Sequence, residues 1–211
     1  MCGAAAAGRR GKSPPPSPAP RQDGGMQPTP TPPALLLDVD GPLNPFANRW
    51  RRRLRWRPRG YTAHRCKPDD WVARHAPLPE EEVAPLRVWL NPAHGPQLAA
   101  LPYDLVWATT WMHGANKHIG PVIGLPNLPV IEWSELFKPG PDGAHWKAPQ
   151  IVAWARGRPF AWVDDGITAH DERYVAAHHD GPALLHWVDP ARGLRAPDFA
   201  VLREWAEKQA R

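Results

Sequence analysis

The stretch LLLDVDGPLNP, Leu35–Pro45, decides how the chain is read. An apolar run of strand length ends in two aspartates two positions apart, and Gly41-Pro42 follows at once. Carboxylates at the mouth of a buried strand are costly unless something neutralises them. The run is therefore either a turn or cap, or a strand that delivers Asp38 and Asp40 to a cation.

Working outward, similar apolar runs alternate with helix-like segments. Leu35–Asp38 reads as the first strand and Leu105–Thr109 as the second, followed by a helix-compatible segment around Ala115–Ile123. Leu128–Trp133 reads as a third strand, Pro159–Asp165 as a fourth and Ala183–Asp189 as a fifth. Ala148–Gly157 has apolar residues at Ile151, Val152 and Ala155 and a terminal glycine, as a helix has. Phe199, Leu202 and Trp205 place an amphipathic helix from Pro197 to Gln209. Continuous apolar strands between helices imply an α/β fold with a mostly parallel five-stranded sheet covered on both faces. Ligands of such sheets bind beyond the carboxyl ends of the strands, where Asp38, Thr109 and Asp164 fall.

The 211 residues suffice for one ordinary domain plus a tail. Residues 1–33 are mostly Gly, Ala, Pro, Ser and Arg with almost no large apolar side chain, and are expected to be a disordered tail ahead of a folded domain at 34–211. The formal charge of +5 favours acidic or phosphorylated partners. Cys2 and Cys66 make neither a disulfide framework nor a zinc cluster. With no apolar stretch of membrane-spanning length, a soluble, cytoplasmic protein is expected. None of the ten histidines shows a metal-ligand spacing with cysteine.

Four signatures in order, LLLDVDG, LVWATT, HWKAP and AWVDD, resemble those of the haloacid dehalogenase (HAD) superfamily of aspartate-nucleophile hydrolases, most of them phosphatases. They span Leu35 to Asp165. The resemblance implies a Rossmannoid three-layer sandwich and a Mg2+-dependent phosphoester hydrolase working through an aspartyl-phosphate. In it Asp38 is the nucleophile and Asp40 the general acid and then base. Thr109, with Thr110 as a second candidate, holds the phosphoryl oxygens, and Lys147 neutralises charge. Mg2+ is then held by Asp38, the main-chain carbonyl of Asp40 and Asp164, with Asp165 as an outer or alternate ligand. Taken singly, each residue has a plainer reading: a cap for the aspartates, β-propensity for Thr109, a solvated surface for Lys147.

No room for a folded cap lies between Trp133 and Pro159, and the segment from Asp40 to Thr109 must also supply a flap hairpin and a first helix. A capless enzyme open to large substrates is expected. Arg49, Arg51, Arg53, Arg55, Arg57 and Arg59 occupy alternate positions, which reads as a strand turned at Pro58–Gly60 into a second strand, Tyr61–Cys66. Such a row suits a polyphosphate backbone, or serves as a charged edge that prevents aggregation. The chain is similar to a capless bacterial HAD group associated with RNA-repair proteins, carried by WATTW…AN and AWVDD. RNA or DNA ends are thus the expected substrates. The alternatives are nucleotides or other small phosphoesters, and a non-catalytic nucleic-acid-binding module.

Overall fold

The computed structural model describes residues 31–46 and 59–209. Four strands, β1 (Ala34–Leu37), β4 (Asp104–Trp107), β5 (Phe160–Asp164) and β6 (Ala183–Trp187), form one sheet in the order β4-β1-β5-β6. Every pairing in it is parallel. Between β1 and β4 in sequence, β2 (Thr62–Cys66) and β3 (Leu86–Leu90) pair antiparallel as a separate sheet.

The central strand β1 is buried on both faces, which is why it reads as an unbroken apolar run. Successive side chains point to opposite faces, and the two faces fill two different cores. Leu35 and Leu37 join Phe199, Leu202 and Ala206 of the C-terminal helix Ala196–Gln209, together with Leu98, Ile119 and Ile123. Ala34 and Leu36 join Ile151 and Ala155 of helix Lys147–Ala155 and Val175 of helix Ala169–His178. The result is an α/β/α arrangement of three layers.

Two expectations differ from the observed elements. Leu128–Trp133 forms a single bridge, Val130 to Trp107, where the third of five strands was expected. Pro126 and Pro129 lack the N–H groups a ladder needs, and β4 offers only four residues to pair with. The segment Ala115–Ile123 is two short helices, Gly114–His118 and Gly120–Ile123, because Pro121 cannot continue the first. Thr62–Cys66 is a strand, as expected from Tyr61–Cys66, and it pairs with Leu86–Leu90. Arg49, Arg51, Arg53, Arg55 and Arg57 lie outside the described residues, as do residues 1–30. No helix among the described residues is long and apolar enough to cross a membrane.

Where the β2–β3 hairpin meets the C-terminal helix, the His94 ring lies edge-on to Tyr61 at 5.5 Å and against Phe199 at 5.7 Å. Burial pushes its imidazole down to about 4 from 6.5. Above pH 6.5 the ring is neutral folded or unfolded. As pH falls from 6.5 toward 4 the unfolded chain takes up the proton first, so folding stability is lost across that window. Urea titrations should show a loss of about 3 kcal/mol attributable to this ring, and His94→Gln should flatten that part of the profile.

Candidate active site

The carboxyl ends of β1 and β5 are adjacent, and each strand runs directly into an aspartate. Leu37 and Val163 are register partners, which brings Asp38 and Asp164 side by side. Both are buried, and so is Lys147, the first residue of its helix. The Lys147 ammonium bridges them: Nζ lies 2.7 Å from Asp164 Oδ2 and 3.0 Å from Asp38 Oδ2. A buried lysine is tolerated here because it is paired twice. Burial opposes its charge, but Asp38 and Asp164 outweigh burial and hold its pKa above the ordinary value.

Asp38 is fixed from other directions as well. Its Oδ1 accepts the Val39 backbone N–H at 2.8 Å, and the nearby Thr109 hydroxyl favours the charged carboxylate. Burial nevertheless pushes the Asp38 carboxyl up to about 7, with Lys147 opposing the rise and Asp164 adding to it. Thr109 is fully buried just beyond β4. Its carbonyl accepts the Trp133 indole N–H at 2.9 Å, and its Oγ1 accepts the Trp111 backbone N–H at 3.3 Å. Asp164 Oδ1 accepts the Gly166 N–H at 2.8 Å, while Oδ2 takes the Trp162 indole N–H at 3.1 Å in addition to Lys147.

Asp40 leaves the strand direction. The chain turns at Gly41, whose φ is +92°. Asp40 is then held by two donors, the Asn44 amide to Oδ1 at 2.7 Å and the Trp111 indole to Oδ2 at 2.9 Å. Glycine is required at 41 for a second reason. A Cβ there would sit 2.6 Å from Asp165 Cγ. Gly41→Ala combines a left-handed backbone with that clash and should cost about 1–3 kcal/mol, read as a lowered melting temperature. It should also displace Asp165 and reduce any metal-dependent activity more than the stability loss explains.

Oxygen atoms of Asp38, Asp164 and Asp165 all lie within 4.8 Å of one another. Burial, followed by the charge of Asp164, lifts the Asp165 carboxyl to about 6. Three carboxylates share one ammonium, so the cluster holds more negative charge than it neutralises. An oxygen-only donor set with surplus charge fits a hard divalent cation such as Mg2+. The Asp40 side chain faces Asn44 and Trp111 and is not in this cluster.

Asp38, Thr109, Lys147 and Asp164 are brought together as the sequence predicts. Thr110 lines a cavity of about 200 Å³ that opens beside Asp40, with Trp111, Pro68, Trp71 and Arg74. The proposed substrate contacts Arg51, Arg53, Arg55 and Arg57 fall outside the described residues. Sequence reading missed Asn44 and Trp111, which orient Asp40, although Asn44 stands within the opening stretch. It also missed Asp171, fully buried, which accepts the His145 N–H at 2.6 Å and the Thr168 N–H at 2.7 Å. Asp171 thereby ties the loop before Lys147 to the loop after Asp165; its capping box, Thr168 to Asp171, was a signal available in TAHD.

Comparison with known proteins finds no matching family model, no matching curated protein and no matching solved structure.

Proposed function

We propose that the chain is a Mg2+-dependent phosphoester hydrolase of the haloacid dehalogenase type, acting through an aspartyl-phosphate on Asp38. The observation that carries this reading is the pair of buried strand-end aspartates bridged by Lys147, with Thr109 and Asp40 beside them. A structural ion pair needs one carboxylate per ammonium. This site gathers three carboxylates at the carboxyl edge of a parallel sheet, where ligands of such folds bind.

The chemistry follows from the residues. An Asp38 oxygen attacks phosphorus, forming a new O–P bond as the ester O–P bond breaks, and Asp40 delivers a proton to the departing oxygen. Asp40 then removes a proton from water as that water attacks the acyl-phosphate, releasing phosphate and restoring Asp38. Asn44 and Trp111 orient the Asp40 carboxyl group for these roles. Lys147 and the Thr109 hydroxyl supply positive charge and a donor beside the transferring group. Asp38, Asp164 and Asp165 would hold Mg2+, which supplies charge screening between the nucleophile and a phosphate dianion.

Nucleic-acid ends are the favoured substrates, supported by the +5 charge and by the arginine-rich sequence at 49–59. The small cavity beside Asp40 favours a second reading, in which the leaving group is a nucleoside or another compact alcohol. Phosphate release from 3′- and 5′-phosphorylated oligonucleotides, compared with mononucleotides across a salt series, separates the two. Oligonucleotides should be preferred at low salt, with the preference falling steeply as salt rises. No preference at low salt would assign the enzyme to small phosphoesters.

A further inference from the structure

A larger cavity, about 410 Å³, lies away from Asp38, and its two surfaces differ in chemistry. Its floor is aromatic, made by Tyr61, His94 and Phe199, while its rim carries the guanidinium groups of Arg59, Arg192 and Arg195. We propose that this cavity is a nucleotide-binding subsite, taking one aromatic base on the floor and its phosphate at the arginine rim.

The hairpin fixes where the cavity is. Leu86, paired with Cys66, lines the cavity beside Asp40; Tyr61 and Asn91, next to the Thr62–Leu90 pair, line this one. The two cavities therefore sit at opposite ends of the hairpin, roughly 15 Å apart at the rise of an extended strand. Nothing in the proposed hydrolytic step uses this second cavity, and its occupancy does not depend on hydrolysis at Asp38.

Each surface excludes a simpler ligand. A lone inorganic anion would satisfy the rim and leave the aromatic floor unused. A purely apolar ligand would leave the guanidiniums without an anion. Arg192 and Arg195 meet Asp189 and Asp198 through Nε, the inner nitrogen of the fork, at 3.2 and 4.0 Å. No salt bridge occupies their terminal nitrogens among the described residues, and a guanidinium fork matches phosphate oxygens. Asn91 and Gln97 add side-chain amides at the cavity edge, groups that pair with the donors and acceptors of a heterocycle. The volume falls within the range of small-ligand sites.

The wall is also incompletely satisfied. The Tyr61 hydroxyl and His94 Nδ1 are both buried and have no hydrogen-bond partner among the described residues. Orphaned groups of this kind are uncommon and costly. Glycine at 193 keeps the Tyr61 hydroxyl in place, since a Cβ there would come within 2.4 Å of it.

Calorimetric titration of the full chain, carrying Asp38→Asn to prevent turnover, tests the assignment with 5′-AMP, adenosine, inorganic phosphate and a tetra-adenylate strand. AMP should bind more tightly than adenosine or phosphate alone. The double variant Arg192→Ala, Arg195→Ala should weaken AMP by roughly tenfold or more while leaving the melting temperature unchanged, because both side chains are about half exposed. Tighter binding of the strand with the same arginine dependence would make the natural occupant a nucleotide within a nucleic acid. Equal or weaker strand binding would make it a free nucleotide; both results support the subsite. Undetectable AMP binding at millimolar concentration, AMP binding indifferent to the two arginines, or phosphate binding as tightly as AMP would overturn it.

Discussion

Asp38→Asn should abolish phosphoester hydrolysis, by on the order of 10⁴-fold or more, while the chain stays folded. The amide cannot serve as an anionic nucleophile, and two of the neighbouring carboxylates are already engaged. Asp164 is held by Lys147, Trp162 and the Gly166 N–H, and Asp40 is held by Asn44 and Trp111. The shape of Asn matches Asp, so the core around β1 is undisturbed. Removing this carboxylate also relieves charge crowding with Asp164 and Asp40, both of which raise the Asp38 carboxyl. The expected signature is therefore a large loss of activity with a small change in melting temperature, checked by aryl-phosphate turnover with and without Mg2+ beside a thermal melt.

Lys147→Ala should give the opposite signature for stability. Its Nζ is the shared partner of two carboxylates whose side chains are 10% and 2% exposed. Deleting the ammonium leaves both charges buried without compensation, which costs about 3–5 kcal/mol. For a domain of this size that is a fall of roughly 10 °C in melting temperature. Activity should be lost as well, so stability is the diagnostic readout. If Asp38, Asp164 and Asp165 hold a divalent cation, millimolar Mg2+ should recover part of the lost melting temperature, and recover more of it in Lys147→Ala than in the parent chain. Combining Lys147→Ala with Asp38→Asn should cost less than the sum of the two, because the second change removes one of the charges the first leaves stranded. Additive losses would show that Lys147 and Asp38 do not act as a pair.

The features that were legible in the sequence share one physical cause. Strands buried on both faces must be continuously apolar, so Leu35–Leu37 and Phe160–Val163 stood out, and with them the aspartates at which they end. Lys147 was legible only through the HWKAP resemblance; taken singly it reads as a solvated surface lysine, and it is in fact buried at the start of its helix. What was not legible depends on pairing across the chain. Trp111 reaches Asp40 from 71 positions away, and nothing local marks that indole as a donor. Likewise, LRVWL carries a weaker period-two signal than the arginines at 49–59, so nothing local marks Leu86–Leu90 as a partner of Thr62–Cys66. Its register is set by tertiary contacts, including the Asn44 side chain accepting the Trp89 N–H at 2.9 Å. The segment around Val130 misled in the other direction: apolar content suggested a strand, and its prolines left only one bridge.

The most direct test of Asp38 as nucleophile is to trap the intermediate. The enzyme is mixed with a phosphoester labelled in the phosphoryl group, quenched in acid during turnover, digested and mapped by mass spectrometry. The expected result is a phosphoryl group on the peptide containing Asp38, labile to hydroxylamine as an acyl-phosphate is, and absent from Asp38→Asn. Turnover with no label on the protein, or label on any other residue, would contradict the proposed chemistry.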